Sequence, residues 1–364
     1  MTDTTTPSSP RPADRTALVI GVTGSFGGHA AAALIRHGWA VRALARDVAA
    51  ARAKASRCMP IEWIAGDAMK ADDVVRAAMG ATVIVHAANP PGYRNWRGLA
   101  LPMLASTIGA AETSGARIVL PGNVYNYAPD SGTRITETAP QQPATRKGRI
   151  RVEMEQMLRA AVGRGAKALV LRAGDFFGPA APNSSLHWLT TRRGGRVRSV
   201  YTPGPGGVGH AYAYLPDLAE TLARLLDREA DLADFEAFHF AGHWLARADE
   251  MGQSIRRACS DAAIPLRPFP WPLVYALSPF TETFRELLEM RYLWRRPIGL
   301  DDARLRAFLG EIPATAFDTA VRESLADMGC LGVPAGASPG LFEPWAGSLR
   351  ASRLDAAHVR QNPL

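Results

Sequence analysis

An apolar run that ends in a glycine-rich turn constrains the fold of this chain more than any other stretch. Residues 17–28 read ALVIGVTGSFGG, and the segment after them has the composition of a helix. In such a unit the unpaired backbone N–H groups and the helix dipole point at one spot, which makes an anion site. Three glycines suit close backbone approach and tight packing at this turn. The motif predicts a dinucleotide-binding turn formed by Gly21, Thr23, Gly24, Ser25, Phe26 and Gly27.

Strand and helix patterns then alternate along the chain. Strands are predicted at 40–45, 61–65, 82–86, 117–120, 168–172 and 235–240, and helices separate most of them. Successive strand–helix units build a parallel sheet with helices on both faces. The predicted fold is therefore α/β, a Rossmann-type doubly wound parallel sheet with a smaller, mostly helical C-terminal substrate domain. The predicted division is a tail at 1–14, a dinucleotide-binding domain at 15–182 to which 211–243 returns, a substrate domain at 183–210 and 244–335, and a tail at 336–364.

The end of the second strand carries information about the cofactor. A site selective for NAD places Asp or Glu about 20 residues after the last glycine, to accept a hydrogen bond from the ribose 2′-hydroxyl. This chain has Arg46 there, and a guanidinium suits a 2′-phosphate. Asp47 follows immediately and leaves some ambiguity. We predict NADP as the cofactor, with NAD as the less favoured alternative.

Other strand ends supply further cofactor contacts. Asp67 follows the third strand and either reaches the adenine amino group or caps the local turn. The fourth strand runs into Ala87 and Asn89, where small residues leave room for a cofactor that crosses the carboxyl ends of the strands.

Charge and cysteine content exclude some partners and favour others. The chain has 364 residues, a net charge of +8 and three cysteines. No basic repeat interleaved with aromatics and no helix-turn-helix pattern supports nucleic-acid binding. The cysteines lack metal-ligand spacing, so no metal is predicted and a reduced cytoplasmic protein is expected. No segment is apolar enough over a sufficient length to predict a membrane span, and no membrane partner is predicted.

Four motifs resemble one family. They are the turn at 21–27, Gly66-Asp67, the segment LRAGDFFGP at 171–179 and the segment AYLPDLA at 213–219. With these motifs the chain resembles an extended or atypical short-chain dehydrogenase/reductase of the NAD(P)-dependent epimerase/dehydratase group, over about residues 15–335. The resemblance implies that Arg172 and the loop after it help to form the substrate side of the site. It also makes a homodimer an expectation.

The catalytic residues that this resemblance implies are replaced. The family uses a Ser near the end of the fifth strand and a Tyr-x-x-x-Lys pair on the next helix. Alignment through Glu155 places Lys147 at the tyrosine position and Arg151 at the lysine position, and no serine lies in residues 121–125. Lys147 can exchange a proton if it is desolvated, whereas arginine cannot act as a base and is left to donate to ribose hydroxyls.

Two neighbours complete the candidate catalytic set. Asn123 could polarise a carbonyl, and Tyr125 or Tyr127 could supply a phenol. The alternative is that Lys147 and Arg151 contact only cofactor phosphate or ribose, or form a basic helix face.

The region after Pro179 holds candidate substrate contacts. A loop at 183–188 includes His187, and a basic run at 191–198 could hold an anionic small molecule such as a diphosphate. A solvated loop is the alternative for the basic run. His210 could reach the cleft or pack at a strand end.

Three functions remain open from the sequence. The first is an NADP-dependent oxidoreductase or epimerase-like enzyme that acts on a carbonyl or hydroxyl group. The second is a cofactor-binding sensor or scaffold without turnover, a reading motivated by the missing Ser, Tyr and Lys. The third is an NAD-dependent nucleotide-sugar epimerase or dehydratase, which requires Arg46 to make no cofactor contact.

Overall fold

A computed structural model describes residues 15–55, 59–90, 95–193 and 195–331. The predicted tails at 1–14 and 336–364, Cys58, and Gly194 of the basic run lie outside the described residues. The strands are β1 (Thr16–Ile20), β2 (Ala40–Ala45), β3 (Ile61–Ala65), β4 (Val83–His86), β5 (Arg117–Asn123), β6 (Lys167–Ala173), β7 (Asp175–Phe177), β8 (Thr190–Arg193), β9 (Arg196–Thr202), β10 (His210–Tyr214), β11 (Phe235–Phe240), β12 (His243–Leu245) and β13 (Leu266–Pro268).

The helices alternate with these strands in the first half of the chain and dominate the end of the described part. They are α1 (Ser25–Arg36), α2 (Val48–Lys54), α3 (Ala71–Ala78), α4 (Trp96–Ser114), α5 (Arg146–Val162), α6 (Ser185–Leu189), α7 (Leu215–Asp227), α8 (Glu250–Ala258), α9 (Trp271–Leu277), α10 (Glu282–Met290), α11 (Ala303–Leu309) and α12 (Phe317–Asp327).

Seven parallel strands form the central sheet, in the order β11-β6-β5-β4-β1-β2-β3. Each neighbouring pair is parallel, for example Ile20 beside Leu44 and Ile20 beside His86. The order reverses between β1 and β4, and ligands of open α/β sheets bind outside the carboxyl ends of the strands at such a point. The predicted Rossmann-type fold is confirmed.

Two apolar layers cover the two faces of this sheet. Ala17 and Val19 of β1 point to one face, where α1 and α7 pack. Leu18 and Ile20 point to the other face, which α3, α4 and α5 cover. Every second residue of a strand faces the same side, so a strand buried on both faces reads as the continuous apolar run seen in the sequence.

The smaller part of the fold is built from two three-stranded sheets and the later helices. One sheet has the order β12-β10-β7 and the other β13-β9-β8. Among the described residues, no helix combines the length and apolar character needed to cross a bilayer.

A buried polar network joins the sheet to α5. Arg172 on β6 donates to both carboxylate oxygens of Glu155, at 2.8 and 2.6 Å, and its Nη1 lies 3.1 Å from His239 Nε2. Tyr127 Oη lies 2.8 Å from the same histidine nitrogen. His239 Nδ1 lies 2.9 Å from the Ile135 carbonyl oxygen, so it donates there and Nε2 accepts from both neighbours. The guanidinium of Arg172 and the phenol of Tyr127 are thus engaged inside the fold.

Candidate functional site

The glycine turn has the geometry of a diphosphate cradle. Gly21 has φ +92°, a conformation that L side chains rarely adopt, and a Cβ there would lie 2.7 Å from the Ala87 backbone. A Cβ on Gly27 would lie 2.2 Å from the Gly21 carbonyl oxygen. Helix α1 begins here with no side-chain cap and no acidic residue in its first turn. The first-turn N–H groups, including those of Ser25 and Phe26, therefore remain available to an anion, and these residues fit a dinucleotide diphosphate.

Two arginines that are four residues apart, Arg42 within β2 and Arg46 directly after it, have different surroundings. Arg42 Nε donates to Glu62 at 2.7 Å and its Nη1 to the Met79 carbonyl oxygen. Arg46 is exposed at the carboxyl end of β2. The Asp47 carboxylate accepts from Ala50 N at 2.9 Å and so caps α2. Of these charged groups, Arg46 is thus the exposed one at the strand end, and its contact with a ribose 2′-phosphate stays a prediction.

The ends of β3 and β4 place the other predicted cofactor contacts at the same edge of the sheet. Asp67 Oδ1 accepts from Met69 N at 3.0 Å, which is the turn-capping role that the sequence allows. Ala87 N donates to the Ile20 carbonyl oxygen at 2.9 Å, so this residue lies directly beside the glycine turn. Asn89 is exposed, and its Oδ1 accepts from Trp96 Nε1 at 3.0 Å.

Lys147 lies in a buried ion pair at the start of α5. Its side chain is 2% exposed, and Nζ lies 2.6 Å from Glu286 Oε2 and 3.8 Å from Glu289 Oε2. Nζ also donates to the Glu286 carbonyl oxygen at 2.9 Å. Burial lowers the pKa of Lys147, while the hydrogen bond to Glu286 and the charges of both glutamates oppose that shift. The lysine side chain therefore contacts α10.

Arg151 lies one turn further along α5 and faces the strand ends. Its Nη1 donates to the Pro121 carbonyl oxygen at 3.3 Å, and its guanidinium lies 4.9 Å from the centre of the Trp96 ring. Burial, followed by the charge of Arg151, lowers the pKa of His86 to about 3, so His86 is neutral. The guanidinium of Arg151 is thus a fixed donor at the carboxyl edge of the sheet, between β4 and β5.

Asn123 and Tyr125 lie beside the start of α5. The Asn123 Oδ1 accepts from Tyr125 N at 3.0 Å and caps a single 3₁₀ turn at 124–126. A Cβ on Gly148 would lie 2.3 Å from the Tyr125 carbonyl oxygen, so α5 packs directly on this turn. The structure therefore places Asn123 and Tyr125 beside the first turn of α5, whereas the Lys147 side chain extends to Glu286 on α10. The predicted common role of the three residues stays a prediction. Tyr127, by contrast, is fully buried against His239.

Three residues that the sequence did not connect lie next to this region. His210 Nε2 lies 2.9 Å from Asp175 Oδ2, and its Nδ1 lies 3.0 Å from the Leu293 carbonyl oxygen. The oxygen of Tyr292 is buried without a hydrogen-bond partner among the described residues. Burial raises the pKa of Tyr292, and the charges of Asp175 and Glu289 add to that rise. These contacts join the start of α5 to β7 and β10 through the segment after α10.

The signals for these residues in the sequence were incomplete. The sequence indicated His210 as a candidate by itself. Nothing in the sequence around Asp175 or Glu289 indicates that Asp175 pairs with His210 or that Glu289 lies near Lys147. The Asp175 pair spans 35 residues and the Lys147 contact spans 139. Residues this far apart in sequence can be predicted to pair only when both belong to a known motif. The sequence contains no motif that links either pair.

At least two arginines of the basic run contact other residues of the smaller part of the fold. Arg192 Nη2 lies 2.7 Å from His187 Nε2, and Arg196 donates to Asp261 at 3.0 Å. Burial, with the charge of Arg192, lowers the pKa of His187. The predicted diphosphate contacts of this run therefore compete with protein partners at Arg192 and Arg196.

Comparisons with known proteins agree with this architecture. The model of the NAD dependent epimerase/dehydratase family matches residues 17–239, which is more than half of the chain. The chain belongs to this family, as its motifs predicted. An uncharacterized protein, y4nL of Sinorhizobium fredii, is 23% identical over an alignment of 342 positions that covers 85% of this chain and 93% of that protein.

Solved structures share the fold at low identity. MoeE5 in complex with UDP-glucose and NAD has a TM-score of 0.66 and 17% identity, over 86% of this chain and 98% of that one. UDP-glucuronic acid 4-epimerase from Bacillus cereus, in complex with UDP-glucuronic acid and NAD, has a TM-score of 0.69 and 13% identity over the same shares. DesIV, a dTDP-glucose 4,6-dehydratase from Streptomyces venezuelae with NAD bound, has a TM-score of 0.68 and 17% identity, over 85% and 96%.

Proposed function

We propose that this protein is an NADP(H)-dependent oxidoreductase or epimerase-like enzyme that acts on a carbonyl or hydroxyl group of a small molecule. The observation that carries the proposal is the uncapped start of α1 beside the glycine turn, at the point where the strand order reverses. That arrangement suits a dinucleotide. The family to which the chain belongs adds support for redox chemistry at this edge of the sheet.

Arg46 is the basis for choosing NADP over NAD. The neighbouring carboxylate of Asp47 already accepts from Ala50 N, whereas the guanidinium of Arg46 is exposed. A guanidinium can form two parallel hydrogen bonds with a phosphate. The three structural neighbours above contain NAD, so NAD is the alternative that the experiment must separate.

Each side chain then has a defined task. The bound nicotinamide supplies or accepts a hydride. The turn at residues 21–27 binds its diphosphate, and Arg151 donates to the ribose. Lys147 holds a proton at Nζ, and burial lowers the pKa of this ammonium. Asn123 and Tyr125, on the turn that packs against the start of α5, are assigned the task of orienting the substrate oxygen.

A second function has its own support. The Lys147 ammonium is enclosed by a carboxylate and a carbonyl oxygen of Glu286, which is the arrangement of a structural ion pair. We therefore propose, as the alternative, an NADP(H)-binding protein without turnover. Tight binding with no reaction across a broad panel would favour this alternative.

The test combines binding with turnover. Mass spectrometry identifies the nucleotide that co-purifies, and fluorescence titrations compare NADPH with NADH. A panel of aldehydes, ketones and UDP- and dTDP-sugars is then screened for NADPH oxidation or sugar interconversion. We expect tighter binding of NADPH and turnover that is lost in Lys147→Ala. Turnover unchanged in Lys147→Ala would remove this lysine from the mechanism, and NAD as the retained nucleotide would overturn the choice of NADP.

A further inference from the structure

Two cysteines that are far apart in the sequence lie close together in the smaller part of the fold. Cys259 directly follows α8, Cys330 lies shortly after α12, and both are free thiols. Both line one cavity of about 400 Å³. Cys330 belongs to a buried apolar cluster, and the half-buried Cys259 packs against the same cluster. The fold therefore forms a pair that the sequence presents as separate thiols.

The register of the two helices brings their ends to one level. Ser254 Oγ donates to Asp318 Oδ1 at 2.6 Å, and Arg322 Nη1 donates to the Ala258 carbonyl oxygen at 3.4 Å. Between these contacts both helices advance by about one turn in the same sense, so α8 and α12 run parallel. Cys259, the residue after Ala258, therefore lies beside the second half of α12.

The end of α12 brings Cys330 back to the same level. Gly329 has φ +67°, and its N–H donates to the Ala326 carbonyl oxygen at 2.9 Å. The Cys330 N–H donates to the Leu325 carbonyl oxygen at 2.8 Å. These bonds around a left-handed glycine form a Schellman motif, which turns the chain back along the last helical turn. Cys330 is thus held beside Leu325, near the end of α8.

The charges of the two sulfurs also influence each other. Burial raises the pKa of Cys259, and the charge of Cys330 raises it further. Burial raises the pKa of Cys330 too, and the neighbouring Arg192 opposes that rise. Both groups are therefore thiols at neutral pH, and the pair stays reduced until an oxidant reaches it.

We propose that Cys259 and Cys330 form a reversible intramolecular disulfide on exposure to a low-molecular-weight disulfide, for which glutathione disulfide is the probe. The Cys259 thiolate attacks one sulfur of the probe, forms a mixed disulfide and releases one glutathione thiolate. The Cys330 thiolate then attacks Cys259 Sγ, forms the protein disulfide and releases the second glutathione. The two protein thiols lose two electrons and two protons, and glutathione disulfide takes them up.

The cavity decides which cysteine reacts first. Cys259 is the more exposed of the two, whereas Cys330 is 6% exposed. Arg322 also lines the cavity and is exposed, so it can meet a carboxylate of glutathione. The expected reduced protein is then the resting form, and the disulfide is an oxidised form that fastens residue 330 to the end of α8. The proposal is independent of the cofactor and the reaction.

Thiol counting and mass spectrometry test this proposal on the full chain. Cys58, which lies outside the described residues, is replaced in a Cys58→Ser variant so that only the pair can react. After incubation of the folded protein with glutathione disulfide at mildly alkaline pH, we expect no free thiol and an intact mass lower by two hydrogen atoms. The thermal midpoint should rise by a few degrees, and dithiothreitol should reverse both changes.

Variants with a single cysteine separate the two steps. Cys58→Ser/Cys330→Ala should stop at the mixed disulfide and gain the mass of one bound glutathione. Cys58→Ser/Cys259→Ala should stay unmodified, because the remaining thiol is buried. Circular dichroism like that of the wild type confirms that the variants are folded.

Three results with the Cys58→Ser protein would overturn the proposal. One is a mixed disulfide that persists on Cys259 while Cys330 stays a thiol, since the two sulfurs would then be too far apart to react. The second is the absence of any reaction in the folded protein under conditions in which the urea-unfolded chain forms the disulfide. The third is a disulfide-linked dimer on a non-reducing gel in place of the intramolecular bond.

Discussion

The Nζ atom of Lys147 lies 2.6 Å from Glu286 Oε2, which joins the start of α5 to α10 across 139 residues of sequence. The position is the one at which the family resemblance implies a tyrosine. Under the proposed function, the pair lies where the reacting group of a substrate would be handled. Substitutions can measure separately how much this ion pair contributes to stability and whether Lys147 takes part in turnover.

Glu286→Gln should lower the free energy of unfolding by about 3 kcal/mol, because it leaves a buried ammonium without its nearest counter-charge. Lys147→Met should cost less, since Arg146 Nη2 remains 2.8 Å from Glu286 Oε1. Urea denaturation measures both variants. If the free energy of unfolding falls equally in the two variants, the unpaired buried ammonium is not the cause of the loss.

Arg46→Ala should weaken NADPH binding by about ten- to a hundredfold and leave NADH binding unchanged, because it removes a charge-assisted contact to the 2′-phosphate. Arg42→Ala is the matched control on the same strand, since Arg42 is paired with Glu62. Its NADPH affinity should match the wild type. The prediction fails if the two variants have the same ratio of NADPH to NADH affinity.

Gly27→Ala should abolish nucleotide binding and reduce stability, because the new Cβ would lie 2.2 Å from the Gly21 carbonyl oxygen. Gly109→Ala is the control, as nothing lies within 4 Å of its added Cβ and the residue is inside α4. That variant should gain about 1 kcal/mol from helix propensity. Thermal unfolding with and without NADPH measures both effects. Nucleotide binding retained by Gly27→Ala would show that the cradle tolerates a wider turn.

Acidification should destabilise the protein through His239. Burial, followed by the charge of Arg172, lowers its pKa to about 4. Because the unfolded histidine has a pKa of about 6.5, the unfolded state binds more protons between pH 6.5 and 4, and stability falls as the pH drops through that window. The loss should be about 3 kcal/mol, at 1.36 kcal/mol per pH unit.

His239→Asn keeps a donor for the Ile135 carbonyl oxygen and removes the titrating group. Urea unfolding at several pH values between 6.5 and 4 should therefore show a smaller slope in this variant than in the wild type. If the free energy of unfolding depends on pH with the same slope in His239→Asn and in the wild type, another group is responsible for the loss of stability.

Much of the fold could be predicted from periodicity. The predicted bounds of β2, β3 and β11 agree with the structure, because each is a short apolar run with a clear stop. Strands β7, β8 and β12 were missed, since three or four residues carry no measurable period. Strand β9 was missed as well, because its first residues belong to the basic run at 191–198, for which a solvated loop was the alternative to an anion site. Helix α2 was missed too: its start depends on a cap by Asp47, and it has only seven residues.

The site could be predicted only in part. Residues 21–27 form the glycine turn by local geometry, so a local motif is enough to find them, and their binding of a cofactor stays a prediction. The partners of Lys147 and His210 are set by tertiary packing, and neither Glu286 nor Asp175 differs in sequence from an ordinary surface acid. The catalytic roles of Lys147, Asn123 and Tyr125 remain predictions.

Glu289 accepts hydrogen bonds from the backbone N–H groups of Arg146 and Lys147, so a residue far along the chain caps the first turn of α5. During synthesis that cap is missing until about 140 further residues have left the ribosome. Thr145 caps the Gly148 N–H locally, so only the N–H groups of Arg146 and Lys147 are expected to become protected against amide exchange when α10 docks. The proposed catalytic position would then be assembled among the last parts of the molecule, after the glycine turn has folded.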